Sequence, residues 1–170
     1  TTANAATLKA IDSYTTGTVT TTATKIEGTA ADLHAVVDGG IAHAADVPMT
    51  VSDTTFAATD LIAVDALTTG LITVSANRMT GNITDIGTAY SAASTAITGL
   101  AAINLTVEAD SSGVNPTVAN VVTAIGKTTG TVTATIRSSL NALTDFASIT
   151  GTGHVLTIEP LDDTTVAAAA

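Results

Sequence analysis

The chain has no cysteine and no tryptophan, and aromatic residues make up only 2% of it. Without cysteine there is no disulfide framework and no thiolate metal site. Without rings, no large core can be built on aromatic packing. Burial must come from the 45% of residues that are apolar, most of them small or β-branched. Cations are scarce as well, with 5 Lys and Arg against 15 Asp and Glu, a net charge of −10. Nucleic acid and anionic membrane surfaces are recognised by clustered cations, so neither is expected as a partner. No apolar run approaches the length that spans a bilayer, and no membrane insertion is expected. The opening residues show neither the basic region nor the apolar stretch of a secretory leader. The first residue is Thr1 rather than Met, which suggests a processed chain or an excerpt.

What the chain has in abundance is Thr and Ala, arranged with a long period. The stretch from Asp53 to Val74 reads as a short helix pattern, a Thr-Thr-Gly turn and a strand. Thr15-Thr16-Gly17 and Thr128-Thr129-Gly130 punctuate the chain in the same way, 53 residues before and 60 residues after the Thr68-Thr69-Gly70 copy. Self-similarity at a fixed period is the signature of stacked repeats. Two further offsets agree. Seventeen residues after the first Thr of each turn stands an acid followed by a large apolar residue: Asp32–Leu33, Asp85–Ile86 and Asp145–Phe146. Four residues after it stands Val19, Ile72 or Val132.

Three repeats follow, over about 1–53, 54–113 and 114–163, with a fourth opening at 164–170. In the first, Ala5, Leu8 and Ile11 form one apolar stripe on a short helix, and Gly17 reads as its left-handed terminator. Residues 18–22 are β-branched and read as a strand. A second helix starts at Thr29, Gly39-Gly40 breaks it, and 47–51 is the next strand. The second repeat predicts helix 56–66, strand 71–75, helix 83–94 and strand 104–108. The third predicts helix 117–126, strand 131–135, helix 140–148 and strand 154–158. The expected fold is therefore an α/β right-handed solenoid of about six βα coils, with a parallel β-sheet on one face and short helices on the other. Because Asp163-Thr164-Thr165-Val166-Ala167-Ala168 restates Asp53-Thr54-Thr55-Phe56-Ala57-Ala58, the chain reads as part of a longer array or as a protomer that stacks end to end.

The wording Ser52-Asp53-Thr54-Thr55, Ala57-Ala58, Asp60-Leu61 and Asp65-Ala66-Leu67-Thr68-Thr69-Gly70, followed by Thr80-Gly81-Asn82-Ile83-Thr84-Asp85, resembles a known repeat type. It is similar to the tandem repeats of very long extracellular and cell-surface proteins of aquatic bacteria, and of some virus-encoded fibre-like proteins. The third repeat departs from it, with Ser139 and Asn141 where Met79 and Gly81 stand in the second. The resemblance implies a structural or adhesive role and brings no catalytic residues with it.

Little in the chain suggests chemistry. His34 and His43 lie near Asp32, Asp38 and Asp46, but no metal-binding histidine spacing exists, and surface histidines are the expectation. Gly17-Thr18 and Gly151-Thr152-Gly153 read as turns, because no phosphate-loop lysine follows them. No nucleophile elbow or Ser–His–Asp set is present, so no enzyme is expected. The acids allow two readings. Asp32, Asp85 and Asp145, early in helices, suit capping of free N–H groups. Asp53, Asp110, Asp162 and Asp163 follow strands and form the candidate calcium site, since hard cations take loop oxygens. The repeated Thr-x-Thr strands, Thr18-Val19-Thr20 and Thr131-Val132-Thr133, raise ice matching, but Leu71-Ile72-Thr73 interrupts the row. Asn82-Ile83-Thr84 and Asn104-Leu105-Thr106 spell glycosylation sites, as a Thr-rich chain does by chance. The expected function is a filament, coat, stalk or adhesin element at the cell surface or outside the cell, self-associating into a homo-polymer. The alternative is a fibre segment that binds glycan, for which Tyr14 and Tyr90 are the available loop aromatics.

Overall fold

The computed structural model describes residues 1–92, 96–138 and 146–160. The end of the helix predicted over 83–94, most of that predicted over 140–148, Asp145, Asp162, Asp163 and the restated opening 163–170 lie outside the described residues.

The chain runs β1 (Thr2–Asn4), α1 (Ala5–Ser13), β2 (Lys25–Gly28), α2 (Ala30–Asp38), β3 (Met49–Val51), β4 (Thr55–Ala57), α3 (Ala58–Leu67), β5 (Ile72–Val74), β6 (Arg78–Gly81), α4 (Ile83–Ala92), β7 (Ile97–Thr98), β8 (Asn104–Val107), α5 (Val118–Ile125), β9 (Val132–Ser138) and β10 (Val155–Pro160). The strands form two five-stranded sheets, ordered β1-β2-β3-β5-β7 and β10-β9-β8-β6-β4. Every described pairing is parallel. This is an α/β fold, and it corrects the expectation of a single sheet.

Register explains why small and aliphatic residues suffice for a core. Ile26 lies opposite Met49, Met49 opposite Ile72, and Ile72 opposite Ile97. Each is at most 2% exposed, so the first sheet buries one continuous aliphatic row. Phe56, Met79, Leu105 and Val132 make the matching row in the second sheet. Burying such a side chain contributes about 1.5–3 kcal/mol. The helices add a narrow stripe at every third position: Ala30, Leu33 and Val36; Ala58, Leu61 and Val64; Val118, Val121 and Ala124. The first residue of such a stripe must be small where a strand passes above it. A Cβ built on Gly28 would lie 2.7 Å from the Ala5 methyl, and one on Gly81 would lie 3.1 Å from that of Ala58.

Five predicted strands correspond to β3, β5, β8, β9 and β10. The sixth, 18–22, is not a strand; only Thr20 bridges to Ala42. The ladder instead takes Lys25–Gly28, because Ile26 is the residue there that completes the buried row. β-Branched residues extend the backbone locally, but pairing follows the side chain that can be buried. β1, β2, β4 and β6 escape sequence reading for a shared reason: each is three or four residues long and runs almost directly into a helix. β7 has only two residues.

Candidate functional site

The Thr-Thr-Gly turns are the most specific structures in the molecule. In the second copy the Thr68 hydroxyl accepts the Gly70 N–H at 3.0 Å. Its own proton is shared between the carbonyls of Ala45 at 3.1 Å and Val47 at 3.5 Å. Thr69 gives both its N–H (2.9 Å) and its hydroxyl (3.1 Å) to the Ala45 carbonyl. The third copy repeats the set. Thr128 accepts from Gly130 at 2.9 Å and donates toward Ala101 and Ile103, and Thr129 gives N–H and hydroxyl to Ala101. Each turn is thereby fastened to the segment that runs into the strand its own strand pairs with: 45–47 into β3, and 101–103 into β8.

The glycine is needed for close approach. A Cβ on Gly70 would press into the Val47 carbonyl and lie 2.7 Å from the Asp46 oxygen, and one on Gly130 would lie 2.8 Å from the Ala102 oxygen. Neither these glycines nor Gly17 is in the left-handed region, which corrects the expectation for Gly17. Gly40 (φ +78°) is the left-handed residue at the end of α2.

Asp32 and Asp85 stand in helix first turns, and the residue three places before each supplies the cap. Thr29 caps α2 by accepting the Asp32 N–H at 3.0 Å, and the Asp32 carboxylate faces Lys9 of α1 at 3.1 Å. The Thr29 hydrogen bond, and then Lys9, lower the Asp32 pKa below its ordinary value, partly opposed by desolvation. Asp85 occupies the same place in α4, where Asn82 accepts its N–H at 3.0 Å and donates to its carboxylate at 2.6 Å.

Of the candidate calcium ligands, Asp53 lies in the turn between β3 and β4, where its Oδ2 accepts the Ala30 N–H at the start of α2, 2.5 Å away. Asp110 lies in the loop between β8 and α5 and accepts the Ser112 and Val114 N–H groups at 2.8 and 3.0 Å. Their carboxylates thus serve different loops. Asp162 and Asp163 are outside the described residues. Among the described residues no three His, Asp or Glu side chains gather around one point. His34 and His43 are separate too: His34 faces Asp60 of α3 at 3.5 Å, whereas His43 Nδ1 contacts the Ala44 carbonyl. Tyr90 is not a loop aromatic. It sits in α4, half-buried, donating to the Leu100 carbonyl at 2.8 Å, and burial raises its pKa. Tyr14, just after α1, is 90% exposed.

The outward Thr rows differ from the one the Thr-x-Thr strands suggested: 18–22 is not a strand, and Thr73 and Thr133 fall in different sheets. Thr50, Thr73 and Thr98 are successive partners in the first sheet. Thr80, Thr106 and Thr133 are successive partners in the second. Their inward neighbours are the buried aliphatic rows, so the hydroxyls lie on the outer faces. Each row is one residue wide, except on β9, where Thr135 continues it and pairs with Thr157 of β10. Beside it lies a cleft of about 260 Å³ lined by Thr106, Glu108, Asn115, Thr133, Thr135 and Thr157. Arg78 donates to Thr106 at 2.9 Å, tying neighbouring strands on that face. The signal was present as a single Thr per strand, visible only once the register is known. No protein-family model, curated protein or solved structure matches the chain.

Proposed function

We propose that the chain is a structural repeat element, a right-handed solenoid whose role is mechanical: spacing, coating or adhesion in an extracellular or cell-surface assembly. The observation that carries this reading is the twice-made contact set of the Thr-Thr-Gly turns, each fastening one strand level to the level before it. A device reused at a fixed place in the chain suits a quasi-one-dimensional stack, whose stability is a sum of neighbour contacts. The right hand follows from parallel strands joined through helices. Edge strands β1 and β10 carry backbone groups that a further repeat or a second copy could pair with, extending the array head to tail.

Counting β3 with β4, β5 with β6 and β7 with β8, the strands of the described residues occupy seven levels, which at about 4.8 Å per level give an axial length of roughly 34 Å. Electron microscopy of the protein, with light scattering over a concentration series, tests the proposal. Filaments or oligomers growing with concentration, with an axial period near that length, support self-association. Monodisperse short particles at all concentrations would restrict the role to a segment within a longer array. The glycan-binding alternative rests on the exposed Tyr14 ring, and binding on a glycan panel that is lost in Tyr14→Ala would favour it.

A further inference from the structure

We propose that His154 is an acid-sensitive latch that holds the start of β10 on β9. The proposal does not depend on self-association. Just ahead of the six residue pairs that join β10 to β9, the Val132 N–H donates to His154 Nδ1 at 3.0 Å. A backbone N–H can only donate, so Nδ1 must carry its lone pair. The ring proton then belongs on Nε2, which lies 3.2 Å from the Thr150 carbonyl, a pure acceptor. Two contacts on opposite sides of the ring therefore require the same neutral tautomer.

The loop is shaped around that ring. Gly151 (φ +99°) and Gly153 (φ +85°) are both left-handed, and a Cβ on Gly151 would lie 2.9 Å from Nε2. A side chain at that point would displace the imidazole. The cleft beside the ring is lined by Ile125 at the end of α5, by Thr128–Gly130 after it, and by Thr150–Thr152 of the loop, none of them ionisable. The facing group on β9 is the Val132 amide. Among the described residues no carboxylate lines the cleft.

Protonation turns Nδ1 into a donor facing a donor, so the Val132 bond is lost while the Nε2 bond survives. The latch is therefore closed while the ring is neutral and weakened once the ring is protonated. Imidazoles change charge between about pH 5 and 8. Opening frees the first rung of the ladder and exposes the β9 edge at Val132.

The test is NMR on the full chain. Long-range proton–nitrogen correlations at about pH 7.5 should show His154 with its proton on Nε2. Hydrogen exchange at Val132, corrected for intrinsic rates, should speed up about tenfold between about pH 7.5 and about pH 5. Met49 and Ile72, in the first sheet, should not follow. His154→Asn keeps an acceptor near the Nδ1 position and cannot titrate, so its Val132 exchange should be insensitive to pH. A double variant, His34→Asn with His43→Asn, should keep the wild-type response. A proton on Nδ1, a Val132 rate that tracks Met49 and Ile72, or a response that persists in His154→Asn or vanishes in the double variant would overturn the proposal.

Discussion

The first and second Thr-Thr-Gly turns are spelled alike and differ in their surroundings. In both, the first Thr hydroxyl accepts the glycine N–H at 3.0 Å. There the likeness ends. Thr68 is 7% exposed and its turn lies against the carbonyls of 45–47, whereas Thr15 is exposed and its N–H turns back to the Asp12 carbonyl of its own helix. The bond inside the turn is local and comes with the sequence. The bonds that join levels exist only where an earlier level has already presented its carbonyls. One motif thus serves as a simple turn at one place and as an inter-level fastening at another.

The comparison can be broken most forcefully at the glycines. Gly70→Ala places a methyl against the Val47 and Asp46 carbonyls and should cost about 2–4 kcal/mol by urea unfolding. Gly17→Ala, where the nearest neighbour is the Thr15 hydroxyl at 3.4 Å, should change stability by no more than about 0.5 kcal/mol. Equal effects at the two sites would mean that the turn, not the fastening, is what matters. Thr68→Val removes the Gly70 acceptor and the shared donor in a buried place, and should cost about 1–3 kcal/mol. Thr15→Val should cost a few tenths of that, by the same measurement.

The same contrast between local and cross-level bonding can be sharpened at α2. Thr29 caps it from its own sequence and Asp53 from the following level. Thr29→Ala and Asp53→Ala should each cost about 1 kcal/mol in thermal unfolding, and the double variant shows whether the two caps act independently. The smallest expected effect is the pH dependence of Asp32. Its folded pKa is depressed, so its contribution is present above the unfolded value and is lost as pH falls through the folded one. The group is partly exposed, so the loss should stay below about 1 kcal/mol. Lys9→Ala should flatten the slope of stability against pH below about pH 4.

Five helices and half of the described strands were legible in the chain because each rests on short-range pattern. Leu33 and Ile86, placed by their offset from the turn, are both buried core residues. Asp32 and Asp85 stand in helix first turns, where the helix dipole favours an acid, but the capping expected of them falls to Thr29 and Asn82. The strand at 25–28 was not legible, since Lys25-Ile26-Glu27-Gly28 offers one aliphatic residue and its identity depends on Met49 lying opposite Ile26. The bond from Asp53 to Ala30 was hidden likewise, joining residues 23 positions apart.

The sequence by itself determined the unit: a short helix with a three-residue apolar stripe, a Thr-Thr-Gly turn, and an aliphatic strand too small for a ring-built core. These depend on dihedral preference, spacing and side-chain reach, which act within a few residues. Only the tertiary structure decided that the strands divide into two sheets, that single Thr residues align into outward rows, and that His154 meets Val132. Those outcomes depend on parallel register, in which residues 22 to 27 positions apart share a rung. No local preference encodes that distance; the burial of one aliphatic row against the next does.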